Sequence, residues 1–80
     1  MTYRPPLSET FPGERVPWKA IAAELRYAIT HDMVPGEPLG SMTGLAEAYN
    51  VNRKTARKAL AAMAAEGLAE VRPGRGYFVL

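Results

Sequence analysis

The stretch Val51-Asn52-Arg53-Lys54-Thr55-Ala56-Arg57-Lys58-Ala59-Leu60 decides the reading of this chain. Ala56, Ala59, Leu60 and then Met63 recur at helical spacing and make one apolar stripe. Arg53, Lys54, Arg57 and Lys58 fall away from that stripe. The spacing therefore predicts a helix over about 53–66, buried on one face and cationic on another. Asn52 is placed to cap its start, because an Asn side-chain oxygen accepts from the first unpaired N–H groups. Gly67 is placed to end it.

Upstream, Asn50 suits the left-handed conformation that terminates a helix. Before it, Leu45, Ala46 and Tyr49 form the inward face of a short helix over about 42–49, with Ser41 or Thr43 as cap. Only a few residues separate this helix from the next, which lets the two cross steeply in a helix-turn-helix. Further upstream, Trp18, Ile21, Ala22, Leu25, Ala28 and Ile29 predict a first helix over about 17–32. Pro17 would be its first residue and Pro35-Gly36 would stop it. Trp18 and Tyr27 are expected to pack rather than bind. Residues 37–40 have room for one brief strand. Residues 1–16, with Pro5, Pro6, Pro12 and Gly13, read as an extended or disordered arm, although Tyr3, Leu7 and Phe11 could dock on the domain.

Downstream, 68–71 and 77–80 alternate like two strands, joined by the turn Pro73-Gly74-Arg75-Gly76. The expected fold is mainly α with a small β-hairpin: a winged helix-turn-helix of three helices plus a two-stranded wing over 17–80, preceded by the arm.

Size and composition narrow the function classes. Eighty residues make one domain with one modest core. There is no cysteine and a single histidine, His31, so neither a disulfide framework nor a Cys-based zinc site is available. No metal or cofactor is expected. The Met-Thr-Tyr-Arg-Pro-Pro start lacks the apolar core of a signal peptide, and no apolar run suggests a membrane span. A cytoplasmic location is the default. An enzyme is not expected, because the carboxylates are scattered singly and no nucleophile elbow or phosphate-binding glycine loop is present.

The net charge of +2 is uninformative as a total and informative as a distribution. Residues 1–50 carry four cations and six anions, a balance of −2, whereas 51–80 carry six cations and two anions, a balance of +4. A basic C-terminal half suggests a charged working face.

Two constellations supply that face. Arg53, Lys54, Thr55, Arg57 and Lys58 occupy the opening turns of the third helix, which is where a helix-turn-helix meets the major groove. Arginine can donate two parallel hydrogen bonds to guanine, and threonine can bond a phosphate or touch a thymine methyl. The second constellation is Arg72, Gly74, Arg75 and Gly76 at the hairpin tip. Glycines there would let the backbone approach a phosphate or a groove floor, with an arginine in the narrow minor groove between them. Ser41, Thr43 and Asn52, at the starts of the two helices, complete the candidate contacts.

From Trp18 to Val79 the chain resembles the winged helix-turn-helix domain of GntR-family bacterial transcription regulators. The matching residues are Pro35-Gly36, Leu39, Ser41, Leu45-Ala46, Tyr49, Val51, Arg53, Thr55, Arg57, Ala59-Leu60, Glu66-Gly67-Leu68, Gly74, Gly76, Phe78 and Val79. The resemblance implies that Arg53, Thr55 and Arg57 face DNA, that the wing glycines approach the minor groove, and that two copies bind a short inverted repeat, often as a repressor. Gly40 stands where the family usually has proline, and Met42-Thr43 where it has an acidic–basic pair. Family members normally continue into a C-terminal effector domain. The chain ends at Leu80, so no small-molecule effector site is expected within it. The leading expectation is a sequence-specific DNA-binding transcription regulator and repressor, with double-stranded DNA as partner and a homodimer possible on its operator. The alternatives are an architectural or recombination directionality factor of a mobile element, and a protein-binding winged helix.

Overall fold

The structure, a computed structural model, describes residues 16–80. The expected arm, including Tyr3, Leu7 and Phe11, lies outside the described residues apart from Val16. That residue is 3% exposed and packs in the core, so burial begins one position before the expected boundary.

Helix α1 spans Trp18–His31. Pro17 is its N-cap rather than its first residue, with extended dihedrals of φ −71° and ψ 148°. A proline at this position can only accept, and its carbonyl takes the N–H groups of Ala20 and Ile21 at 3.0 and 3.3 Å. Ile21, Ala22, Leu25 and Ile29 are buried, with Trp18 half-buried beside them. Tyr27 departs from expectation. It is 48% exposed and stacks on His31, ring centroids 4.0 Å apart, instead of packing inward.

Strand β1, Pro38–Gly40, follows. Helix α2 spans Met42–Tyr49 and is capped by Ser41, whose Oγ accepts from the Gly44 N–H at 3.0 Å. Thr43 therefore lies within the first turn. Asn50 ends α2 in the left-handed conformation, at φ 54° and ψ 48°. Helix α3 spans Arg53–Ala65, with Ala56, Ala59, Leu60 and Met63 buried as the sequence pattern predicts. It ends in a Schellman arrangement. Gly67, at φ +76°, donates to the Ala64 carbonyl, and Leu68 donates to Met63 at 3.0 Å.

Strands β2, Ala69–Arg72, and β3, Gly76–Val79, pair antiparallel, with Glu70 opposite Phe78 and Val71 opposite Tyr77. The wing sheet has a third member. Strand β1 pairs antiparallel with the other edge of β3, giving the order β1-β3-β2. Pairing continues into the preceding loop, where Gly36 donates to Val79 at 2.8 Å and Val79 donates to Glu37 at 2.9 Å. The wing is thus anchored to the segment between α1 and α2.

Helix α3 is the hub, packing against both α1 and α2. Ile21, Leu60 and Met63 are its largest fully buried neighbours and members. Ala56 and Ala59 are wholly buried as well, and their small side chains let the other helices approach closely. One further link was invisible in the helical pattern of α1: the half-buried Tyr49 hydroxyl of α2 donates to Glu24 at 3.2 Å.

Candidate nucleic-acid interface

The three residues Asn50–Asn52 join α2 to α3 and are shaped by caps at both ends. Val51 donates its N–H to the Ala46 carbonyl at 3.0 Å, closing the end of α2. Asn52 then opens α3. Its Oδ1 accepts from the Thr55 N–H at 2.9 Å and from the Thr55 hydroxyl at 3.1 Å. The start of α3 is therefore fixed by side chains, and with it the direction in which the cations leave the helix.

Arg53, Lys54, Arg57 and Lys58 are all exposed. Arg53 and Arg57 are one turn apart on one strip of the helix, and Lys54 and Lys58 share the adjacent strip. Thr55 is half-buried, and its hydroxyl proton is committed to Asn52. It can still accept a bond, while Asn52 keeps its amide N–H groups for an outside acceptor. Ser41 is placed similarly: its oxygen receives Gly44 and its proton is left to donate. Thr43 is exposed on the first turn of α2. The fold also sets Trp18 across a cleft of about 340 Å³ from Lys54 and Lys58. Nothing in the sequence announced that neighbour, because more than thirty residues separate them.

Two wing residues, Arg72 and Gly76, have close neighbours inside the fold. Arg72 is no bare cation. Its Nε and a terminal nitrogen donate to Glu70 Oε1 at 3.2 and 3.0 Å, and its guanidinium lies 4.2 Å from the centre of the Phe78 ring. Gly76 has an internal reason to be glycine: a Cβ there would sit 3.0 Å from the Gly40 carbonyl oxygen. Its smallness lets β3 lie close beside the end of β1. Gly74, at φ +76°, has open space around it and serves the turn. Arg75, at the tip, is exposed.

The described cations thus divide sharply. Arg26 makes a paired contact with Glu66, and Arg72 with Glu70. Lys19 lies 5.9 Å from the Trp18 ring. Arg53, Lys54, Arg57, Lys58 and Arg75 make no ion pair among the described residues. Those five sit on the opening of α3 and the tip of the wing. Among the described residues no cluster of three metal-ligating side chains occurs, and no helix is long and apolar enough to cross a membrane.

The family model described as bacterial regulatory proteins of the gntR family matches residues 12–79. The chain belongs to the GntR family. Among relatives of this GntR domain, an uncharacterized HTH-type transcriptional regulator of Rhizobium meliloti (strain 1021) is 43% identical over 68 residues, covering 78% of this chain and 26% of the relative. The HTH-type transcriptional regulator LutR of Bacillus subtilis (strain 168) is 40% identical over 48 residues, covering 60% of this chain and 22% of the relative. The chain thus spans about a quarter of the length of these relatives. Two solved structures share the fold across 99% of the chain. A transcriptional regulator from Oenococcus oeni superposes with a TM-score of 0.68 at 19% identity, over 58% of that chain. A transcriptional antiterminator from Listeria monocytogenes EGD-e gives 0.70 at 18% identity, over 56% of that chain. The winged helix-turn-helix expected from sequence is the fold, and the family is that of helix-turn-helix transcription regulators.

Proposed function

We propose that this GntR domain binds double-stranded DNA in a sequence-specific way and represses transcription, two copies occupying an inverted repeat. The opening turns of α3 enter the major groove. Arg53 and Arg57 read base edges there, and Lys54 and Lys58 neutralise phosphates. The wing tip, led by Arg75, reaches the adjacent minor groove. Asn52, Thr55, Ser41 and Thr43 add polar contacts at the two helix starts. The observation that carries this reading is the sorting of charge: five exposed cations without ion pairs among the described residues lie on the two elements a winged helix presents to DNA. No residue is assigned a catalytic role, and the site of action is the cytoplasm.

Selection of bound duplexes from a random library, with stoichiometry measured on the best sequence, tests it. A short inverted repeat holding two copies is the expected result. Tandem direct repeats would favour the architectural alternative. Absence of any enriched sequence at low and moderate salt would overturn the DNA reading and leave a protein-binding winged helix.

A further inference from the structure

The outer face of the wing pairs one candidate DNA contact, Arg72, with an acidic neighbour. Strand β2 alternates, so Glu70 and Arg72 share the face opposite the buried Ala69. Phe78 stands directly across from Glu70 on β3. The Arg72 guanidinium spans this trio. One side of it donates twice to a single Glu70 oxygen, and its plane covers the Phe78 ring at 4.2 Å. The carboxylate takes two of the five guanidinium N–H groups, donors for which a DNA phosphate would compete. The ring gives the guanidinium a second attractive contact beside the carboxylate.

Resting on the DNA-binding reading, we propose that Glu70 is a specificity-determining residue: it acts as a built-in phosphate mimic that withholds Arg72 from DNA of random sequence. A phosphate that reaches the wing must displace Glu70 and then lie beside its freed carboxylate. On a random duplex the exchange gives no net gain, so Arg72 adds nothing to sequence-independent affinity. On a preferred duplex the other contacts hold the wing in its groove, and the exchange becomes intramolecular. Arg75, which has no such carboxylate among the described residues, carries the unconditional wing contact. Glu70 thereby raises the ratio of specific to random binding by lowering its denominator.

The test is a cycle of Glu70→Gln and Arg72→Gln in the full chain. Binding is measured on a mixed-sequence 20-base-pair duplex and on the best library-selected duplex, across a salt series. Glu70→Gln keeps the side-chain shape and removes the charge. It should tighten random-duplex binding on the order of fivefold at 0.1 M salt and steepen the log–log salt slope by about 0.9, the signature of one added phosphate contact. The gain on the selected duplex should be smaller, so the specificity ratio falls. In the Arg72→Gln background the same substitution should lose most of its effect. Two results would overturn the proposal: an unchanged salt slope for Glu70→Gln, or an equal gain when Arg72 is absent, which would mean simple loss of a repelling charge. If wild type shows no salt-sensitive affinity for either duplex, it is the DNA-binding reading that has failed.

Discussion

Arg26 of α1 grips Glu66, the residue that ends α3, through two hydrogen bonds of 2.7 and 2.6 Å across forty positions of sequence. The side-chain bonds from Arg26 hold the Glu66 carboxyl below its ordinary range, and the Coulombic attraction adds to them. The sign of the linkage follows. A depressed carboxyl stabilises the fold above its unfolded pKa and loses that contribution as pH falls through the folded one. Both side chains are solvent-accessible, so the contribution is small. Urea midpoints measured from neutral pH down through the carboxylate range should fall less steeply for Glu66→Gln than for wild type. At 1 M salt the difference between the two curves should narrow.

Asn52 is the hinge on which the direction of α3 depends. Asn52→Ala removes the acceptor for both the Thr55 N–H and the Thr55 hydroxyl, and should cost about 1 kcal/mol by urea denaturation. Asn52→Ser retains a capping oxygen and should cost less than half as much. If the Ala variant folds with wild-type stability, the cap is not what fixes the start of α3.

The two wing glycines separate a turn requirement from a packing requirement. Gly74 and Gly76 both have positive φ, but only Gly76 faces the Gly40 carbonyl at contact distance. Gly74→Ala should cost about 1 kcal/mol from conformation alone. Gly76→Ala must also push β3 away from β1 and should cost clearly more. Equal losses by thermal denaturation would mean that the β1–β3 pairing tolerates a Cβ.

Much of this architecture was legible in the sequence, and the parts that were not share a cause. Apolar spacing found the α3 stripe because Ala56, Ala59, Leu60 and Met63 answer to a local period. Caps at Ser41 and Asn52 and the left-handed Asn50 were legible because each acts within three or four residues. Pairings between distant segments were not. The join of β1 to β3, the Arg26–Glu66 grip, the Tyr49–Glu24 bond and the closeness of Gly76 to Gly40 all depend on topology. The Arg72–Glu70 pair has a nearer cause: a strand places i and i+2 side by side, which makes Glu70 its neighbour. Tyr27 was expected inward because it sits in an amphipathic helix, but it stands beyond the buried stripe, where His31 offers it a ring one turn on.

The core leaves little reserve against truncation. Leu60 is wholly buried in the central helix of a domain with a small interior. Leu60→Ala should cost about 2–5 kcal/mol, a large share of the total for a chain this size. The expected result is loss of the cooperative transition at 37 °C, seen by circular dichroism. A retained sharp transition near the wild-type temperature would place the core's weight elsewhere.

Arg57 and Lys58 are sequence neighbours on different strips of α3, both exposed and both without an ion pair among the described residues. A guanidinium can hold a guanine edge in two parallel bonds, whereas an ammonium acts on phosphate as a compact point charge. The two substitutions should therefore differ in kind. Arg57→Ala should cost roughly 1–3 kcal/mol on the selected duplex and relax base preference at one position of each half-site. Lys58→Ala should weaken selected and random duplexes alike and flatten the salt slope by about 0.9. Quantitative library selection with each variant, beside titrations at several salt concentrations, separates the outcomes. If Arg57→Ala weakens every duplex equally, Arg57 is a phosphate contact, and base reading falls to Arg53 or the wing.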